Sequence, residues 1–128
     1  MKKQIRILLV DDDPILLKMH KHILEIEGSF QVDPCLSVLE ANQKIAKEEY
    51  DVILYQWHMH AIESFEFLKS IRESDNHIPF IVFTTQEDKE AASQAFELGA
   101  NGFVRMVGNP ETDFSELKRA IKKAVTYP

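Results

Sequence analysis

The sequence feature that most constrains the fold is a set of short segments that are apolar on both faces. Four such segments are strand-sized and rich in branched side chains: Ile5–Val10, Val52–Tyr55, Ile78–Thr84 and Phe103–Val107. They are typical of parallel strands covered by helices on both sides of a sheet. A fifth segment, Phe30–Cys35, alternates weakly and contains Pro34. It indicates an edge strand, because proline cannot donate a ladder hydrogen bond.

Helical patterns separate these segments. The first pattern, Pro14–Glu27, carries apolar residues at helical spacing that we expect to face the core, namely Ile15, Met19, Ile23 and Ile26. The second pattern is opened by the capping box Ser37-Val38-Leu39-Glu40. The third and fourth patterns are Ser64–Glu73 and Asp88–Leu98. The fifth is opened by Asn109-Pro110, and its inward residues are Phe114, Leu117, Ile121 and Val125. Strand and helix alternate five times, which predicts an open, doubly wound α/β sheet of five parallel strands with five helices.

Length and charge narrow the function classes. The 128 residues fit a single domain spanning 1–128, and the net charge of −6 without a basic stripe argues against nucleic-acid binding. The apolar runs are too short for a membrane span or a signal peptide. Cys35 is the only cysteine, so we expect no internal disulfide and a cytoplasmic location.

Polar residues follow the predicted strands at their carboxyl ends, where sheets of this kind place their working sites. The first strand delivers Asp11-Asp12-Asp13, the third delivers Gln56, the fourth Thr84-Thr85, and the fifth Met106. Clustered carboxylates are costly unless a cation or hydrogen-bond donors compensate them. The aspartates therefore indicate a hard-cation site or the remnant of one.

These segments resemble a known family. Val10–Pro14, Tyr50–Gln56, Phe80–Thr84 and Leu98–Phe103 are similar, in order and spacing, to the motifs of response-regulator receiver domains. The similarity covers essentially the whole chain and implies the flavodoxin-like strand order 2-1-3-4-5. The region Phe80–Val125, with Gly108-Asn109-Pro110 before the last helix, most resembles receivers attached to sensor histidine kinases of methanogenic archaea.

The resemblance implies roles for particular positions. In the family, an acidic pair after the first strand binds magnesium, which falls here on Asp11 and Asp12, while Asp13 is expected to cap the following helix. The phosphoryl-accepting aspartate falls on Gln56, and the lysine that contacts the phosphoryl group falls on Met106. Two positions of the family's machinery are therefore replaced.

Two further positions follow from the resemblance. The hydroxyl residue that ends the fourth strand corresponds to Thr84, and the switch aromatic in the fifth strand corresponds to Phe103. For both we favour ordinary core packing, because no phosphoryl group would draw the threonine. Trp57 is expected to anchor its loop.

The two replacements agree with each other physically. Acyl-phosphate formation needs a carboxylate nucleophile, which the Gln56 amide does not provide. Magnesium prefers anionic oxygens, so losing one carboxylate leaves a weak or vestigial site and no required cofactor. Without a phosphoryl group, a buried lysine would be a poorly paired charge, and Met106 fills similar space without charge. The sequence predicts a phosphorylation-incompetent receiver-like module, not an enzyme, that signals through protein–protein interaction in a two-component-type pathway.

Other interpretations stay open. One is a magnesium-dependent phosphotransferase or phosphatase that uses Asp11 and Asp13, and another is a receiver that senses a divalent metal directly. His58 and His60 could join Asp12 as transition-metal ligands, although two exposed loop histidines are the simpler interpretation. His20 and His22 are expected to be solvent or rim residues.

The expected partner is a signalling protein, either a histidine kinase or an output domain, in another chain or in the same polypeptide. No nucleic acid or membrane partner is expected. A homodimer is a further option, through the fourth helix, the fifth strand and the last helix. The small residues of the fourth helix, Ala91, Ala92 and Ala95, would permit close approach. The alternative is a monomer whose alanines pack on the sheet.

Overall fold

The computed structural model describes residues 4–57, 61–86 and 88–126. The strands are β1 (Ile5–Val10), β2 (Phe30–Cys35), β3 (Val52–Gln56), β4 (Phe80–Thr84) and β5 (Gly102–Arg105). The helices are α1 (Pro14–Glu25), α2 (Val38–Lys47), α3 (Ala61–Glu73), α4 (Lys89–Glu97) and α5 (Pro110–Thr126).

All five strands are parallel and lie in the order β2-β1-β3-β4-β5. The predicted fold class and strand order are therefore confirmed. Pro34 lies in the edge strand β2, as its missing donor requires. Across the described ranges, no helix combines the length and apolarity that crossing a bilayer requires.

Alternate residues of the central strands feed two separate cores. On one face, Ile7, Leu9 and Leu54 pack under α1 and α5. On the other face, the intervening side chains, among them Leu8 and Ile53, pack under α2, α3 and α4. Because both faces of these strands are buried, their sequences are continuously apolar and do not alternate between apolar and polar residues.

The predicted core face of the first helix is wrong. The buried residues of α1 are Leu17, His20 and Leu24, whereas Ile15 is 77% exposed. Met19 and Ile26 are also exposed, at 47% and 66%, and only Ile23 is partly buried. The helix carries two apolar patterns, and periodicity groups the residues of a face without saying which face meets the sheet.

The other helices follow the predictions more closely. In α5, Phe114, Leu117 and Ile121 are buried, and Val125 packs partly against the same core. One half of the predicted capping box of α2 is present, because the Ser37 hydroxyl accepts from the Glu40 N–H at 3.1 Å. The return bond of Glu40 goes to the N–H of Leu36 at 3.0 Å.

The small residues of α4 serve the core. Ala91 and Ala95 are buried against the sheet, and Ala92 is half-buried. Two of the three alanines therefore act as packing residues, which is the alternative stated for a monomer. Phe96 is the large apolar residue that α4 exposes, at 51%.

Candidate functional site at the carboxyl ends of the strands

The three aspartates after β1 have different environments. Asp11 is buried at 2% exposure, and its N–H donates to the carbonyl of Cys35 at 3.1 Å. Its Oδ1 accepts from the N–H of Asp13 at 3.1 Å, which closes a tight turn. Asp12 is exposed beside it. The turn therefore separates one buried carboxylate from one exposed carboxylate.

Asp13 caps α1, as predicted. Its Oδ1 accepts from the N–H groups of Ile15 at 2.9 Å and Leu16 at 3.2 Å, and Pro14 occupies the first helical position. These bonds satisfy donors that the first turn of a helix leaves without partners. Asp13 is thus committed to the helix.

Gln56 ends the central strand β3 in a buried position, with 6% exposure. Strand pairing continues past it, because the N–H of Trp57 donates to the carbonyl of Phe83 at 2.8 Å. The side-chain oxygen Oε1 is buried and accepts no hydrogen bond from any described residue. A buried acceptor without a hydrogen bond costs stability.

A small pocket joins Gln56 to the aspartates. Its volume is about 40 Å³, enough for roughly two or three water molecules. It is lined by Val10, Asp11, Asp12, Leu36, Ser37, Val38, Tyr55, Gln56, Glu63 and Ser64. The sequence analysis did not assign Tyr55, Glu63 or Ser64 to the site. Tyr55 lies one residue before the end of β3, and α3 brings in Glu63 and Ser64, which no strand end supplies.

Tyr55 stands beside the pocket with its hydroxyl hydrogen-bonded to Ser64. Burial raises the pKa of the Tyr55 phenol, and the bond with Ser64 acts in the opposite direction. The phenol is therefore a neutral lining group. Its ring packs between Phe67 and Phe80, at centroid distances of 5.6 Å and 5.9 Å.

Met106 is buried at 8% exposure in the core under α1 and α5. Its N–H donates to the carbonyl of Thr84 at 2.7 Å, which extends the β4–β5 pairing by one residue. Arg105, the residue before it, is exposed, as strand alternation places it on the opposite face from Met106. The described lining of the pocket contains neither residue.

A buried carboxylate that sequence analysis missed holds the loop after Met106. Asp113 is 6% exposed, and its two oxygens accept from the N–H groups of Val107 at 2.8 Å and Gly108 at 3.0 Å. The sequence signal was an acidic residue in the first turn of a helix, where it interacts favourably with the helix dipole. That signal does not indicate that the residue also binds the amides of the preceding loop.

The two positions that correspond to the family's switch residues lie in packed surroundings. Thr84 is 1% exposed, and its hydroxyl accepts from the N–H of Gln86 at 3.1 Å. Phe103 is half-buried and packs edge-on against Trp57 at 6.3 Å. Trp57 in turn contacts Phe65 at 4.7 Å, so the indole packs between α3 and β5.

His20 is buried, so the prediction that it lies in solvent or at a rim is wrong. Its ring lies edge-on to Phe83 at 5.7 Å and to Phe114 at 5.3 Å. Its Nδ1 is buried and bonds to no described residue. Burial lowers the pKa of the imidazole, while Asp11 and Asp13 oppose that shift. His22, two positions on, is exposed as predicted.

The possible metal ligands in the pocket are oxygen atoms. Within the described ranges, no group of three or more His, Cys, Asp and Glu side chains is placed to hold a metal ion. Asp11, Asp12 and the Gln56 amide oxygen are ligand types that a hard cation accepts. His58 and His60, the alternative transition-metal ligands, lie outside the described residues.

Comparison with known proteins gives a consistent result. The family model described as response regulator receiver domain matches residues 7–112. The chemotaxis protein CheY-3 of Vibrio cholerae is 26% identical over 106 residues, covering 81% of this chain and 82% of that protein.

Solved structures agree. A CheY-like receiver domain protein from Methanospirillum hungatei shares 25% identity at a TM-score of 0.79, covering 98% of this chain and 100% of that one. The response regulator TrrA of Thermotoga maritima, solved with Mg²⁺ and BeF, shares 27% identity at a TM-score of 0.78, covering 94% and 99%.

Proposed function

Because this chain belongs to the response regulator receiver domain family, we propose that it is a member that has lost phosphorylation and signals by binding other proteins. Receiver domains are signalling modules of two-component systems that interact with histidine kinases and output domains. The proposed partner is of that kind, in another chain or in the same polypeptide, and the proposed location is the cytoplasm. The similarity to receivers of methanogen sensor kinases makes a kinase context our specific expectation.

One observation carries this proposal: the buried end of β3 holds the amide of Gln56. A phosphoryl acceptor must be a nucleophile, and an amide nitrogen conjugated to its carbonyl is a poor one. Gln56 is 6% exposed beside Asp11, in the place where the family's acceptor would stand. The pocket beside it therefore has no carboxylate at that position.

The surroundings of Met106 support the same proposal. A lysine at this depth would need anionic partners to offset the loss of hydration. Met106 instead packs in an apolar core with Phe83 and Phe114 among its members. Replacement of both the acceptor and the cation removes two charged groups of the family's phosphorylation site.

Magnesium, if it binds, would be held by Asp11 and Asp12 with the Gln56 oxygen as a neutral ligand. When bound, it would supply a positive charge between the two carboxylates. With two anionic ligands, one of them exposed, we expect weak binding and no requirement for the ion.

The enzyme alternative loses support from the position of Asp13. A phosphotransferase that used Asp11 with Asp13 would need both carboxylates free for a metal or substrate. Asp13 instead accepts from two backbone N–H groups at the start of α1. Removing it from that role would leave helix donors without a partner.

Incubation with acetyl phosphate and magnesium, followed by intact mass measurement, tests the proposal. We expect no mass gain for the natural sequence. The matched control is Gln56→Asp combined with Met106→Lys, which restores both replaced groups. A gain of one phosphoryl group by the natural sequence, removable with hydroxylamine, would disprove the proposal. A mass gain in the control variant alone would assign the loss of phosphorylation to positions 56 and 106.

A further inference from the structure

The pocket beside Gln56 has an acidic lining. Its lining includes the carboxylates of Asp11, Asp12 and Glu63, and no lysine, arginine or histidine is among its lining residues. Asp11 is buried, whereas Asp12 and Glu63 are exposed. Met106, where the family has a lysine, packs in the core under α1 and α5. The lining therefore favours a cation that enters from outside it.

A second observation shows that the pocket needs a hydrogen-bond donor as well as a positive charge. Gln56 lines the pocket and is 6% exposed. Its Oε1 is buried and accepts from no described residue. A donor that entered the pocket and reached this oxygen would remove the cost of an acceptor without a hydrogen bond. The acidic lining and the amide oxygen together point to a cation that carries N–H groups.

An ammonium group fits this lining better than a metal ion does. Magnesium demands near-octahedral coordination by oxygen, and the parts of the chain that the structure describes place no group of three or more His, Cys, Asp and Glu side chains to hold a metal. A lysine ammonium carries three N–H donors and tolerates less regular surroundings. It is close in size to a water molecule, so the volume of about 40 Å³ accommodates it and the carbon that bears it.

The edge of the pocket also suits the rest of a lysine side chain. Leu36, between β2 and α2, lines the pocket and is 47% exposed. Val38, in the first turn of α2, lines it as well and is partly buried. Lysine packs its methylene groups along apolar surface while its ammonium reaches a polar site. An inorganic cation would gain nothing from these two side chains.

We propose that this pocket receives a lysine side chain of the partner protein, whose ammonium donates to Oε1 of Gln56 and pairs with Asp11 and Asp12. This inference rests on the proposed function, because a phosphoryl group or tightly bound magnesium would occupy the same space. The partner then supplies the positive charge that Met106 does not provide. Gln56 becomes a recognition residue in this interaction.

Titration with n-butylammonium chloride at constant ionic strength tests the pocket, because this ion has the carbon chain and the charge of a lysine side chain. The side-chain amide resonances of Gln56 in NMR spectra should shift and saturate. Tetramethylammonium has the same charge but no N–H donor and should bind at least about tenfold more weakly. Gln56→Met and Asp12→Asn, followed at the backbone amide of Ser64, should each weaken binding of n-butylammonium at least about fivefold. The exposed Gln94→Met is the matched control and should bind it as the natural sequence does.

A blocked tripeptide, leucine-lysine-leucine, tests whether the amine belongs to a protein. Its affinity should exceed that of n-butylammonium at least about fivefold, because its apolar side chains contact Leu36. Leu36→Ser should remove most of that difference. The same tripeptide with Nε-acetyllysine loses the charge and should bind at least about tenfold more weakly than the lysine form.

Saturable binding of n-butylammonium that depends on Gln56 and Asp12, with tighter binding of the lysine tripeptide, supports the inference. The absence of a saturable shift, equal binding of tetramethylammonium, or tighter binding of magnesium chloride than of n-butylammonium would overturn it. A tripeptide that binds no more tightly than n-butylammonium would overturn the assignment to a protein partner and indicate a free amine. Phosphorylation by acetyl phosphate would disprove the proposed function itself, whereas a failed amine titration without any mass gain would disprove this inference alone.

Discussion

The imidazole of His20 lies edge-on to the ring of Phe114, with 5.3 Å between the ring centroids, so a titratable group of α1 is part of the apolar contact with α5. The other side of the imidazole meets Phe83 of β4 at 5.7 Å. Protonation would place a positive charge between two aromatic rings. The charged groups that act on it are Asp11 and Asp13, at the carboxyl end of β1.

The free energy of unfolding should therefore decrease as the pH is lowered, and part of that decrease should depend on His20. Burial lowers the pKa of His20 from 6.5 in the folded state, so the unfolded chain takes up the proton first as pH falls. The contribution of neutral His20 is complete above pH 6.5 and is lost below it. In urea unfolding at pH 7 and pH 5, His20→Leu should lose less stability than the natural sequence. His22→Gln, at an exposed position, is the control. If His22→Gln reduced the loss of stability between pH 7 and pH 5 by the same amount, the assignment of that loss to His20 would be contradicted.

The Gln56 amide should be a stability cost. Its Oε1 is buried and accepts from no described residue, so Gln56→Met removes a polar group while keeping the volume. We expect the free energy of unfolding to rise by up to about 1 kcal/mol. The exposed Gln94→Met is the control. Destabilisation that appears only when magnesium is present would show instead that the amide oxygen binds the ion.

The effects of substitutions at Gln56 and Met106 should depend on each other. Met106→Lys alone would bury an ammonium group in an apolar core and should destabilise the fold by roughly 2 kcal/mol or more. Combined with Gln56→Asp, the variant gains a third carboxylate near Asp11 and Asp12 and should bind magnesium more tightly. Quenching of Trp57, the residue that follows Gln56, reports the binding. Equal affinities of the double variant and the natural sequence would mean that other residues have remodelled the pocket.

The loop after β5 should depend on Asp113. Asp113→Asn weakens two charge-assisted bonds, to the N–H groups of Val107 and Gly108. We expect a loss of about 1–3 kcal/mol of stability and faster hydrogen exchange at these two amides. Glu111→Gln changes an exposed acid in the same helical turn and serves as the control. Unchanged exchange in Asp113→Asn would rule out the clamp.

Much of the site could be predicted because it follows the ends of strands. The runs that became β1, β3 and β4 were identifiable from their apolar character, and each fixed the position of the polar residue that follows it. Asp11, Gln56 and Thr84 were located in this way. Tyr55, Ser64 and Asp113 were missed, because their roles depend on contacts between elements that are distant in the chain.

The sequence by itself determined the fold class, the five-fold alternation of strand and helix, and which residue types stand at positions 56 and 106. Only the tertiary structure decided which side of α1 meets the sheet, and with it the burial of His20 and the exposure of Ile15 and Met19. The physical reason is that spacing defines which residues share a face of a helix, whereas burial depends on how that helix is rotated against its neighbours. In α1 both faces are apolar, so the capped start at Asp13 and the fit against β4 and α5 set the rotation.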